Sequence, residues 1–165
     1  LGALGQHDRW PLVLVGTERD LAYFDEVNEQ ATNVVARVPR NHERDTPDEL
    51  AQLVQPALAK HERREQQHVC DETHEAIGTH AVSGITDTWL AARAGRGHKL
   101  VVEDGYRYPA RLVAETLTAA PDEEASSFDA VADTVEEVVR HDGDVVGVPA
   151  GSLADIGHIA LLTRY

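Results

Sequence analysis

The chain has 165 residues, 42% hydrophobic and 27% charged, which is enough for one ordinary core or two small ones. No apolar run approaches the roughly 20 residues needed to cross a bilayer and no signal-peptide pattern opens the sequence, so no membrane partner is expected and the chain reads as cytoplasmic, with which the single cysteine, Cys70, agrees. With 29 acidic against 15 basic residues and a net charge of −14, sequence-independent phosphate binding by this chain is disfavoured and no DNA partner is expected.

The nearest approach to a basic patch, Arg37, Arg40 and Arg44, is interrupted by Glu43 and Asp45. Lys60 and Lys99 are the only lysines. An acidic surface nearly free of lysine suits a salt-rich, halophile-like cytoplasm, and a high-GC coding bias would favour arginine equally; both readings stay open.

The sequence starts at Leu1 and contains no methionine, so it reads as part of a longer protein with the missing part upstream. Residues 11–16 form a short buried strand in this reading, and Thr17 caps a helix to about residue 26. Residues 32–38, beginning at Thr32, are β-branched and predict a second strand. Thr46, Pro47 and Glu49 then supply an N-cap, a proline at the first helical position and the acid of a capping box. Leu50, Leu53, Val54, Ala57 and Leu58 follow at amphipathic helical spacing. Pro56 should bend this helix, which continues, polar, toward His74.

A second half begins near Ile77. Residues 85–94 predict a helix stopped by Gly95, and residues 98–103 a buried strand ending at Asp104-Gly105. Residues 106–117 are mixed, extended with an irregular stretch, and residues 121–125 read as an acidic loop. Ser126 is the expected cap of a helix whose apolar positions are Phe128, Val131, Ala132, Val135, Val138 and Val139, stopped by Asp142-Gly143. Two final strands follow, around Val145, Val146 and Val148 and over residues 159–165. An apolar run up to the last residue implies a terminal strand buried in a sheet, with the domain finishing there. The layout is α/β, with helices covering a small sheet.

For local chemistry the candidates are His61, His68, Cys70, His74 and His80. Cys70 and His74 stand i, i+4 on a helix and can share a metal, with His80 as a third ligand. The other reading is a solvated polar helix, since no Cys-x-x-Cys or His-Glu-x-x-His motif is present. Gly95-Arg96-Gly97 reads as a helix stop and tight turn rather than an anion cradle. Asp142-Gly143-Asp144 reads as a turn rather than a metal loop, and Glu123-Glu124 and Glu136-Glu137 read as solvated faces. Tyr106-Arg107-Tyr108 can stack on a base, or place both rings in the core from a strand with Arg107 outside. No catalytic residue and no cofactor is singled out.

The stretch Thr86-Asp87-Thr88-Trp89-Leu90-Ala91-Ala92-Arg93-Ala94-Gly95-Arg96-Gly97, the strand Lys99-Leu100-Val101-Val102-Glu103 and the ending from Gly151 to Tyr165 resemble the C-terminal domain of the archaeal and eukaryotic class 1 release factor superfamily, which includes Pelota. The matching positions of the ending are Leu153, Gly157, Ile159, Arg164 and Tyr165. The strand at residues 11–16 and the Leu50 helix resemble the end of that superfamily's RNase H-like middle domain. The resemblance implies two parts, residues 1–76 from the middle domain and residues 77–165 as the C-terminal domain.

It further implies a ribosome-associated translation factor that acts with tRNA and a translational GTPase in peptide release, ribosome rescue or peptidyl-tRNA hydrolysis. Relatives carry a Gly-Gly-Gln loop for hydrolysis, and none occurs here, so the resemblance assigns this chain docking and positioning. Two alternatives stand beside it: a non-catalytic ribosome-binding hibernation factor, and a metal-binding stress protein using the His/Cys helix.

Overall fold

The computed structural model describes residues 10–28, 33–41, 44–114, 116–120 and 128–164. The expectations for Thr32, Glu43, the loop at 121–125 with its Glu123-Glu124 pair, Ser126 and Tyr165 lie outside those residues. The chain divides into two compact units, Leu1–Glu65 and Gln66–Tyr165. No helix among the described residues is long and apolar enough to cross a membrane.

In the first unit, strands β1 (Leu12–Gly16) and β2 (Val34–Pro39) pair in parallel and are joined through helix α1 (Glu18–Val27). Thr17 caps α1 by accepting from the Asp20 N–H at 3.3 Å. Helix α2 (Pro47–Ala76) opens on the expected capping box: the Thr46 N–H donates to Glu49 Oε2 at 2.8 Å and the Glu49 N–H returns to Thr46 Oγ1 at 3.3 Å. The reciprocal bonds satisfy two N–H groups that the helix itself leaves free. They also hold the Glu49 carboxyl below its ordinary range, the Thr46 backbone bond contributing most. Pro56 stands inside the helix, which continues through it. The turns of α2 from Gln66 onward belong to the second unit.

The second unit is built on a four-stranded sheet in the order β3 (Ala81–Ser83), β9 (Ile159–Thr163), β4 (Gly97–Glu103), β8 (Asp144–Val148). β9 is antiparallel to both neighbours, and β4 runs parallel to β8 with Val101 opposite Val146. Both faces are covered, which is why β4 and β9 read as continuous apolar runs rather than alternating ones. Leu100, Ile159 and Leu161 face helices α3 (Ile85–Arg93) and α4 (Ala130–Arg140), meeting Trp89, Ala92, Val131 and Val138. Val101, Val148 and Leu162, one residue on, face the other way, against Cys70, Ala81 and Leu153.

Both helices end on Schellman geometry. In α3 the Arg96 N–H reaches the Ala91 carbonyl at 3.1 Å and the Gly95 N–H the Ala92 carbonyl at 2.8 Å, with Gly95 at φ +66°. In α4 the Gly143 N–H reaches the Val138 carbonyl at 2.9 Å and the left-handed position, φ 57°, is filled by Asp142.

The structure refines one expectation, corrects another and adds a strand. Residues 106–117 are extended with an irregular stretch, as expected: after the irregular residues 106–108, β5 (Pro109–Val113) and β6 (Thr116–Ala119) form an antiparallel hairpin that β7 (Phe128–Asp129) extends into a second sheet, ordered β6-β5-β7. The α4 helix starts at Ala130 and not near Ser126, so Phe128 is a strand residue. Asp129 is the cap, with Oδ1 accepting from the Val131 N–H at 3.1 Å. β3 was not anticipated.

Candidate functional site

The second unit concentrates its buried polar chemistry where β4 ends beneath the loop joining β8 to β9. Glu103, the last residue of β4, is 6% exposed. Its Oε1 accepts from the Leu153 N–H at 2.6 Å and its Oε2 meets His158 Nδ1 at 2.9 Å, while the Gly151 backbone also donates to the carboxylate. Burial pushes the carboxyl up, but the Gly151, His158 and Leu153 bonds together outweigh it and hold the group below its ordinary range. Glu103 thus stands where a bound anion would, tying the loop to the sheet through backbone N–H groups.

His158 closes this loop in the left-handed region at φ 68°, uncommon for a residue with a Cβ and maintained only where the surroundings over-determine it. Its ring stacks on Tyr106, centroids 5.1 Å apart. With Nδ1–H donated to the carboxylate, Nε2 is the nitrogen left for solvent or a partner. Neither Glu103 nor His158 was singled out from sequence.

Leu153, Gly157 and Ile159 of the family ending belong to the same loop and the start of β9. Leu153 is fully buried and its carbonyl accepts the His158 N–H at 2.9 Å. Gly157 sits at φ +86°, and a Cβ there would lie 3.0 Å from the Gly84 Cα, so the position needs glycine for both conformation and space. Ile159 is fully buried. Arg164 donates from Nη2 to the His141 carbonyl at 2.5 Å, capping the end of α4, and Tyr165 lies outside the described residues.

The His/Cys set is spread out. Cys70 is buried, and burial pushes its thiol up. His74 donates from Nδ1 to the Cys70 carbonyl at 2.8 Å and turns Nε2 to Asp155 at 3.2 Å. Both contacts raise its pKa, the Cys70 bond most. His80 is exposed, its carbonyl accepting the Thr163 N–H at 2.7 Å. His68 is exposed on α2, and His61 belongs to the first unit. Among the described residues no group of three or more His, Cys, Asp or Glu side chains is placed to hold a metal.

Tyr106-Arg107-Tyr108 precedes β5 and is not itself a strand. Both rings nevertheless pack on the core and Arg107 points out, donating from Nε to Asp129 Oδ2 at 3.1 Å. Asp129 therefore caps α4 and anchors this segment together. Burial raises its pKa, but the Tyr108, Arg107 and Val131 bonds carry it below the ordinary carboxylate range.

On the other side of the unit, Trp89 is held by its indole N–H, which donates to Asp133 Oδ2 at 2.6 Å. The Arg93 guanidinium lies over the ring, 4.7 Å from its centroid. Trp89, Leu90, Arg93 and Leu112 line a groove of about 320 Å³.

The family model of bacterial archaeo-eukaryotic release factor family 3 matches residues 1–96, more than half of the chain. The chain belongs to that family. Among solved structures, Pelota of Archaeoglobus fulgidus is similar over 94% of this chain and 49% of its own, at 19% identity and a TM-score of 0.56. Archaeal Pelota from a model of its ribosome-bound complex with ABCE1 is similar over 93% of this chain and 43% of its own, at 17% identity and a TM-score of 0.60.

The C-terminal domain of a peptide chain release factor from Methanosarcina mazei is covered over 97% of its length by 74% of this chain, at 18% identity and a TM-score of 0.53. These likenesses establish the fold of this family 3 chain as that of the Pelota-related release factor C-terminal region. The chain spans about half the length of the Pelota proteins it matches. Among curated proteins no sequence matches.

Proposed function

We propose that this chain is the docking and positioning part of a ribosome-associated translation factor, active in peptide release, rescue of stalled ribosomes or peptidyl-tRNA hydrolysis, with tRNA and a translational GTPase as partners. The observation that carries the reading is the family 3 match over residues 1–96. The near-complete coverage of a release factor C-terminal domain supports it, as does the ribosome-bound state of the archaeal Pelota to which the chain is similar. In this reading residues 1–76 are the end of an RNase H-like middle domain and residues 77–165 the C-terminal domain.

The geometry suits positioning. The Glu103 carboxylate, the buried Leu153 and the close-packed Gly157 hold one loop rigidly on a sheet covered on both faces. The second reading is occupancy of the ribosome without chemistry.

The test is release of labelled peptide from peptidyl-tRNA on stalled bacterial ribosomes by the full-length protein, at low and high salt. Release above the buffer rate supports the hydrolytic reading. Stable binding without release supports hibernation, and absence of both refutes the two together.

A further inference from the structure

The groove at Trp89 plays no part in the loop described above, and its chemistry points to a second contact. Leu90 and Leu112 border it at 49% and 48% exposure, with Val113 of the same hairpin at 50%. Its wall is rigid, because Trp89 is 3% exposed and pinned through its indole N–H to Asp133. An aromatic and an arginine set in a preformed apolar recess are the residue types that carry binding energy at protein interfaces.

Charge identifies the occupant. This chain has about two acids for each base; Arg37, Lys99, Arg107 and Arg140 are each paired with a carboxylate, and of the described cations left without one, which include Arg19, Arg63, Arg64 and Arg96, Arg93 is the one that lines the groove. Among the described residues no carboxylate pairs with Arg93, whose guanidinium carbon lies over the Trp89 ring at 4.7 Å from its centroid. Its place in the last turn of α3 accounts for a positive charge there, but not for the leucines exposed beside it. Asp87 lies one turn earlier than Leu90 on the same helix face, so an acidic group is favoured only at the Arg93 end.

We propose that this groove docks a short segment of a partner protein that is both apolar and acidic, an apolar side chain seated between Leu90 and Leu112 and a carboxylate on Arg93. The surface is independent of the ribosomal reading, so failure of either leaves the other standing.

The test uses the 165-residue chain carrying Trp10→Phe, which removes its other, exposed indole and leaves Trp89 as reporter. Three fluorescein-labelled peptides are titrated, each with Leu and Phe at helical spacing, and with Glu, Gln or Lys between them. The Glu peptide should bind saturably, shift the Trp89 emission and lose about tenfold in affinity (~1.4 kcal/mol) on Arg93→Ala. Arg93→Glu should transfer the preference to the Lys peptide. Leu112→Ser, at an exposed position where folding is safe, should weaken every peptide that binds.

Equal binding of the three peptides, no binding at all, or an Arg93→Glu protein that keeps the Glu preference would each overturn the proposal. So would self-association that the Glu peptide does not compete, since it would assign the groove to a second copy.

Discussion

Glu103→Gln is the sharpest perturbation of the loop that carries the family ending. The wild-type carboxylate receives bonds from the Leu153 N–H, the His158 ring and the Gly151 backbone. Hydrogen bonds to a charged group contribute about 1.5–3 kcal/mol each. Glutamine keeps the shape and one acceptor oxygen but turns an NH₂ group toward a donor, leaving buried hydrogens opposed. The expected loss is about 2–4 kcal/mol. At about 4–8 °C per kcal/mol for a unit of this size, Tm falls by at least ~8 °C.

The pH dependence has a definite sign. The Glu103 carboxyl titrates below its ordinary value of 4.5, so its contribution is complete above that pH and is lost as pH falls through the lower folded value. Urea unfolding followed by far-UV circular dichroism, at neutral pH and below pH 4.5, measures both effects. A Glu103→Gln protein within ~0.5 kcal/mol of wild type at neutral pH, or an acid loss identical in the two proteins, would refute the reasoning.

Three other outcomes follow from the same packing. Leu161→Ala, at a fully buried position of β9, should cost about 2–5 kcal/mol in urea unfolding; a cost near zero would deny that β9 is the centre of the core. Gly157→Ala forces a Cβ into a left-handed residue 3.0 Å from the Gly84 Cα, and should lose at least ~1–2 kcal/mol, read as a lowered Tm. His74 bonds the Cys70 carbonyl and then Asp155, which raise its pKa above 6.5. Its small contribution, at most ~1 kcal/mol because the ion pair is largely exposed, is therefore present below pH 6.5 and lost as pH rises through the folded value; an NMR titration giving 6.5 or less contradicts the pairing.

Much of the framework was legible because its signals are local. The Thr46-Pro47-Glu49 capping box, the Gly95 stop and the apolar runs of β4 and β9 each lie within a few residues of the structure they specify. The start of α4 was misplaced because Ser126 and Asp129 are both good caps. What decides between them is Asp129's bond to the Tyr108 N–H, 21 residues away in sequence.

Glu103 illustrates the remainder. At the end of a strand it reads as an ordinary solvated acid, and its partners Leu153 and His158 stand 50 and 55 residues further on, beyond any periodicity. The candidate metal ligands failed to converge for a related reason: helical spacing brought Cys70 and His74 to neighbouring turns, but burial took the thiol inward while Asp155 drew the imidazole outward.

The most direct test of the docking account is sedimentation of the full-length protein with bacterial ribosomes through a sucrose cushion over a range of salt. The account predicts saturable co-sedimentation that Glu103→Gln weakens together with the loop it anchors. Protein left in the supernatant at every salt concentration would contradict it.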